Sequence, residues 1–224
     1  MVELITGLRA EVVRANLERV RSEIAAAGRD PGEVQILAAV KYVPIEELGV
    51  LAEAGLELLG ENRAQDLEAK AEAYPGAFTW DFIGHLQSRK VRQVLPHVRY
   101  IETVASDSAL EQLGRHGSPS TEVLVEVNVA GEEGKSGVAP EELPGFLERC
   151  PVNVVGLMTM PPLAPEPGSN RPHFATLREL AAEHGLTHLS MGTSQDYVVA
   201  VEEGATIIRL GTTLYRPGGG SGAS

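Results

Sequence analysis

The sequence predicts a single-domain α/β protein, one closed (β/α)8 TIM barrel preceded by an extra N-terminal helix. Apolar, strand-like runs alternate with helical patterns eight times over about 180 residues, the rhythm of parallel βα units. A length of 224 residues suits one such barrel. No strand is followed by GxGxxG, which makes an open doubly wound sheet the weaker alternative.

The elements follow in order. "MVELITGLRAEVVRANLERVRSEIAAAGRD" is an amphipathic helix without a signal-peptide run and cleavage site. Strand one is "VQILAAV" (34–40), followed by the helical "PIEELGVLAEAG". Strand two, "LELLGEN" (56–62), leads into "RAQDLEAKAEAY", and strand three, "FTWDFIG" (78–84), into "SRKVRQVLPH". "VRYIETV" (98–104) precedes "DSALEQLGRHG", and "TEVLVEVNV" (121–129) precedes "PEELPGFLERC". "NVVGLMTM" (153–160) passes through the Pro/Gly-rich loop "PPLAPEPGSN" to "RPHFATLRELAAEHG". "THLSMG" (187–192), the helical "DYVVAVEEGA" and "TIIRLGT" (206–212) complete the set. The barrel is expected over 1–215, with 216–224, "RPGGGSGAS", as a flexible tail.

Composition narrows the function classes. A net charge of −12 argues against nucleic acid as the main partner. The single cysteine, Cys150, excludes an internal disulfide framework and a cysteine-based zinc cluster and fits a cytoplasmic setting. No stretch approaches the ~20 apolar residues of a membrane span. The six histidines show no metal-pairing spacing. Among the cations, fifteen are arginine and only four are lysine: Lys41, Lys70, Lys90 and Lys135.

One of those lysines closes an apolar strand. In such barrels the site lies at the C-terminal strand ends, and strand one ends in Lys41. Alternation places Leu37, Ala39 and Lys41 on the inner face, and Val34, Ile36, Ala38 and Val40 under the helices. On strand eight the same rule turns Ile207, Arg209 and Gly211 inward. Burial beside a second cation favours a neutral lysine amine, the form that attacks carbonyls. An ordinary strand-end cation is the plainer alternative. "SMGTSQDY" and "RLGTT" supply serine and threonine hydroxyls and bare glycine backbone after strands seven and eight, where barrels commonly bind phosphate. Ser190, Gly211 and Thr212 are the expected phosphate residues, while Asp196 is expected to cap the following helix, as Ser194 would on the alternative reading. An amine, a phosphate cradle and an interior arginine together suggest pyridoxal 5′-phosphate.

Seven segments then carry a resemblance: "LAAVKYVP", "GENRAQD", "FIGHLQSRK", "VNVAGEEGKSG", "GLMTMP", "HLSMGTSQD" and "GATIIRLGT". In this order and spacing the chain resembles the pyridoxal phosphate homeostasis proteins (the YggS/PROSC type), relatives of the N-terminal barrel domain of bacterial alanine racemase. The resemblance runs to about Tyr215. It implies that Lys41 carries pyridoxal 5′-phosphate as a Schiff base. It further implies that Ser190 with Gly192, and Gly211 with Thr212, hold the phosphate. Arg209 would face the pyridine nitrogen, and Asn62 would lie beside the ring. The chain departs from the family pattern at Val40, Asp81, Arg89 and Thr193, where serine or threonine, histidine, asparagine and methionine are common.

Two function classes stay open. One is a carrier that regulates cofactor supply, and with it amino-acid and keto-acid metabolism, through transient contacts with pyridoxal phosphate-dependent apoenzymes. The other is an enzyme, either a small amino-acid racemase or a Schiff-base aldolase-like barrel. An arginine at the ring nitrogen weakens the electron sink, and racemisation needs a second acid–base group, for which Tyr42 and His85 are candidates. The chain ends after strand eight without the racemase's β-domain, so a non-catalytic, monomeric carrier is expected. Lys90 and Lys135 are expected as solvated cations, Met158 and Met160 as core filler, and Cys150 as a half-buried spectator.

Overall fold

Each apolar run pairs in parallel with the next, and the last returns to the first, closing a barrel in the order β1 to β8. The computed structural model describes residues 4–218. Its strands are β1 Gln35–Ala39, β2 Leu58–Glu61, β3 Thr79–Phe82, β4 Tyr100–Val104, β5 Glu122–Glu126, β6 Asn153–Met158, β7 His188–Thr193 and β8 Ile207–Leu210. The helices are α1 Ala10–Ala26, α2 Leu48–Glu53, α3 Ala64–Ala73, α4 Val91–Val94, α5 Asp107–His116, α6 Leu143–Arg149, α7 Arg171–Glu183, α8 Tyr197–Glu202 and α9 Thr212–Tyr215. Of the expected flexible tail, 219–224 lies outside the described residues.

Period-two alternation sorts the side chains into two cores. Leu37, Tyr100, Leu124, Met158 and Ile207 fill the barrel interior. Val34, Ala38, Val40, Ile208 and Leu210 belong to the larger cluster between sheet and helices, as the alternation on strands one and eight requires. The amphipathic stripe of α1, Val13, Leu17, Val20 and Ile24, is buried, and α1 packs against α2, α8 and α9. The Asn16 side-chain amide donates to the carbonyls of Leu214 (3.1 Å) and Arg216 (2.9 Å), tying α1 to the end of α9.

Most differences from the expected elements occur at the strand ends. Strand five stops at Glu126, and Val127 then makes a lone parallel bridge to Val138. Strand eight stops at Leu210 because Gly211, at φ −114° and ψ −107°, turns the chain into the unexpected helix α9. Met160 is 56% exposed and is not core filler, because it lies beyond the end of β6.

The end of β1 is anchored on both sides. The Tyr215 hydroxyl donates to the Ala39 carbonyl (3.1 Å). Burial, with the nearby Glu61 charge adding, pushes that phenol well above its ordinary value, so it remains a donor. The buried Lys70 ammonium, reaching in from α3, donates to the Val40 carbonyl (2.7 Å) and to Glu61 Oε2 (2.6 Å). Glu61 Oε1 in turn accepts from the Asn62 backbone N–H (2.7 Å). Removing one partner of a buried ion pair strands the other charge. Lys70→Met is expected to lower stability by about 3–5 kcal/mol, and adding Glu61→Gln should recover most of the loss. Urea denaturation of the two variants checks both.

Candidate pyridoxal phosphate site

The C-terminal ends of β1, β2, β7 and β8 bring the expected site residues to one barrel mouth, with differences in depth that the sequence does not reveal. Lys41 follows β1 in a turn and is exposed, its Nζ 4.8 Å from the centre of the Tyr42 ring. The burial invoked from sequence to favour a neutral amine is therefore absent, because β1 ends at Ala39 and the lysine projects past the rim. Asn62 is half-buried, and its side-chain carbonyl oxygen is buried without a hydrogen-bond partner.

Arg209 points into the barrel and is 5% exposed. It donates from Nη2 to the Thr159 carbonyl (2.8 Å) and from Nη1 to the Ser190 hydroxyl (2.5 Å). Ser190 donates its one hydrogen to Glu102 Oε2 at 2.6 Å. A hydroxyl has a single hydrogen, so Ser190 as placed has none left for a phosphate. The structure thus separates Ser190 from the other expected phosphate residues. Ser194 stands at the mouth instead, where its Oγ accepts from the Gly211 N–H (3.4 Å). Thr212, next to Gly211, is exposed.

Gly192 has a packing reason of its own. Its φ is +90°, and a Cβ would lie 2.6 Å from the Ala200 Cβ and 2.9 Å from the Tyr197 Cα. Only glycine lets α8 approach β7 this closely. Asp196, expected as a forward cap of that helix, makes no such bond. Its Oδ1 accepts from the Thr193 N–H (2.7 Å) and hydroxyl (3.1 Å), and its Oδ2 from Asn170 (2.8 Å). The side chain is drawn backwards because it closes the turn after β7.

Glu102 escaped notice in the sequence, and Asp81 stood out there only as a departure from the family pattern. Glu102 lies on β4 and Asp81 on β3, both fully buried. Burial pushes the Glu102 carboxyl up to about 8, the Asp81 charge adds to the rise, and Arg209 and Ser190 oppose it. Burial also raises Asp81, against the pull of Arg99, whose Nη2 and Nε donate to it at 2.6 and 3.1 Å. The available signal was an acidic residue at an inward position of the apolar run "YIETV".

Comparisons with known proteins show the family. The pyridoxal phosphate homeostasis protein of Aquifex aeolicus is 40% identical over 213 residues, covering 89% of this chain and 93% of the relative. The chain belongs to the pyridoxal phosphate homeostasis protein family. The Pseudomonas aeruginosa member is 38% identical over 216 residues, covering 92% of this chain and 94% of its own. The solved structure of PipY from Synechococcus elongatus PCC7942 with PLP bound aligns at a TM-score of 0.78 and 32% identity, covering 91% of this chain and all of that one. Alanine racemase from Corynebacterium glutamicum shares the fold alone, at a TM-score of 0.74 and 14% identity, over 97% of this chain and 63% of that one. No family model matches the chain. Among the described residues, no group of three or more His, Cys, Asp or Glu side chains is placed to hold a metal ion, and no helix is long and apolar enough to cross a membrane.

The other two lysines expected as solvated cations each have a partner. Lys90 donates to Gln93 (3.0 Å), and the exposed Lys135 pairs with Glu132 (2.5 Å). Cys150, half-buried at the end of α6, has its thiol pushed up by burial. For the β7–α8 turn, Asp196→Ala removes a charged acceptor of three hydrogen bonds. It is expected to lower stability by about 2 kcal/mol, measured as a shift in the thermal midpoint.

Proposed function

We propose that this barrel binds pyridoxal 5′-phosphate as a Schiff base on Lys41 and acts in the cell's homeostasis of that cofactor. The observation that carries the reading is the β8–β1 seam. Leu37 pairs with Arg209 across it, and the Tyr215–Ala39 hydrogen bond ties α9 to the end of β1. An amine on one side and anion donors on the other thus open onto one mouth. Family membership and the PLP-bound PipY structure support the same cofactor.

The residues present suit the group. Lys41 offers an accessible amine, and Asn62 offers a buried carbonyl oxygen that lacks a partner. The Ser194 hydroxyl, the Gly211 N–H and Thr212 would hold the phosphate, with Gly192 shaping the turn. These donors need no lysine. Arg209 would face the ring nitrogen. When bound, the cofactor supplies an aldehyde carbon on an electron-withdrawing ring. A fixed cation at the ring nitrogen disfavours its protonation and weakens that withdrawal.

The reading favours a carrier. Racemisation requires a second acid–base group on the face opposite the lysine. Tyr42 lies with Lys41 itself, 4.8 Å from its nitrogen, which leaves His85, exposed after β3, as the group that turnover would use. The carrier acts as a cytoplasmic monomer that meets apoenzymes transiently.

The test is the visible spectrum of protein mixed with pyridoxal 5′-phosphate, before and after borohydride, with peptide mapping. A band lost on reduction and a pyridoxyl mass on Lys41 are expected. Lys41→Ala should abolish the adduct and leave only weak, phosphate-driven binding. Loss of one charge-assisted hydrogen bond corresponds to roughly ten-fold or more in affinity. Ser194→Ala should therefore weaken uptake by about that factor, and Ser190→Ala by clearly less. Turnover of D- or L-amino acids would replace the carrier with the racemase.

A further inference from the structure

A polar column runs down the barrel interior beneath the proposed ring position. It starts at Arg209 on β8, passes through the Ser190 hydroxyl on β7 to Glu102 on β4, and continues to Asp81 on β3. Arg99 closes it at the base, where its guanidinium donates to Asp81 and to Gln35 Oε1 (2.9 Å). Around the column, β1, β5 and β6 present Leu37, Leu124 and Met158. Glu126 on β5 adds its charge to Arg209 from a separate position, with its own Oε2 accepting from Ser136 (2.8 Å). No part of the proposed binding chemistry uses Glu102.

The hydrogen-bond inventory of the column is one proton short. Glu102 Oε2 is satisfied by Ser190, but Oε1 is buried with no partner. The neighbouring group that can serve it is the Asp81 carboxyl, already held by Arg99 and by the Tyr100 N–H (3.2 Å). Two ionised carboxylates offer only acceptors to each other, so the contact becomes a hydrogen bond only when one carries a proton. Asp81 accepts from Arg99 and the Tyr100 N–H, whereas Glu102 accepts only from the Ser190 hydroxyl, so the proton is assigned to Glu102.

We propose that Glu102 is a positioning residue for the cofactor ring, a neutral acid that shares one proton with Asp81 and holds Arg209 through Ser190 so that no carboxylate charge beside Ser190 neutralises the guanidinium beneath the ring. This rests on the site reading above. A charged Glu102, 3.9 Å from Arg209, would instead neutralise the cation beneath the ring. The charges of Glu126 and Asp196 act on the guanidinium from other positions.

Two measurements on wild type and Glu102→Gln test it. The first is urea stability of the cofactor-free protein against pH. With the native carboxyl at about 8 against an ordinary value of 4.5, the folded state keeps a proton that the unfolded chain releases between those values. Wild type should therefore lose stability relative to Glu102→Gln as pH rises from about 4.5 to about 8, and no further above that. The second is the visible band of protein loaded with pyridoxal 5′-phosphate. Wild type should show a spectral step near pH 8 that Glu102→Gln lacks, although the variant still forms the borohydride-reducible adduct on Lys41. Glu102→Asp keeps an acid in place and should restore a step, which also covers the case in which the glutamine variant fails to fold. Identical pH profiles in wild type and Glu102→Gln would overturn the proposal. If neither protein takes up the cofactor, the site reading and the positioning role fall together, and the stability comparison still decides whether the proton is present.

Discussion

Strand β8 pairs with β1 over four registered positions, from Gln35 with Ile207 to Ala38 with Leu210, and this pairing leaves the sheet without a free edge. Closure fixes the inward and outward sense of every strand, because a slip of one residue would exchange the two faces. With that register, Leu37, Arg209 and Ile207 must point into the barrel while Ala38, Ile208 and Leu210 meet the helices. The seam is guarded from outside by α1, whose Asn16 grips the end of α9, and from above by Tyr215 on the Ala39 carbonyl. The amine of Lys41 and the donors at Gly211 are neighbours only because the seam is closed.

An interior containing Arg209, Glu102 and Asp81 is costly, since buried charges lose their hydration unless they are paired and hydrogen-bonded. The column meets that cost by linking its members end to end. Arg209 is bonded to a hydroxyl and a carbonyl, and Asp81 to a bidentate arginine and an amide. The Lys70–Glu61 pair is organised differently. It lies between α3 and β2, and its third contact is the Val40 carbonyl. One buried charge system thus aims a cation at the mouth, while the other immobilises the backbone that presents Lys41.

The sequence was legible where periodicity and residue type act together. Eight apolar runs with intervening helical patterns led to a closed barrel, and alternation assigned Leu37, Ile207 and Arg209 inward correctly. Depth was not legible. Ser190 and Ser194 lie four residues apart on one segment, and only the three-dimensional contacts separate a hydroxyl held under Arg209 from one beside Gly211. The exposure of Lys41 stayed undecided between the buried amine and the strand-end cation, because alternation gives direction while the strand's end point decides burial, and β1 ends at Ala39. Glu102, Asp81 and Lys70 come from separate elements, so their pairings were not visible in any local pattern. Asp81, a departure from the family's common histidine, becomes intelligible once Arg99 is seen bonded to it.

The exposed lysine has a physical logic of its own. An amine buried beside Arg209 would be a poor acceptor for a cofactor that has to arrive from solvent and, in a carrier, leave again. Affinity gained by holding the nitrogen at one fixed place also slows release, because most affinity differences reside in dissociation. Here the ordering is placed in the backbone instead. The carbonyls of Ala39 and Val40, immediately before Lys41, are both fixed by side chains from distant elements, while the lysine side chain keeps its rotamers. The entropy of fixing the main chain is lost on folding, so only the side chain must be ordered when the aldehyde arrives. On the proposed site, capture and release would depend on the amine and the phosphate donors at the rim, with the charge of Arg209 below them staying in place throughout.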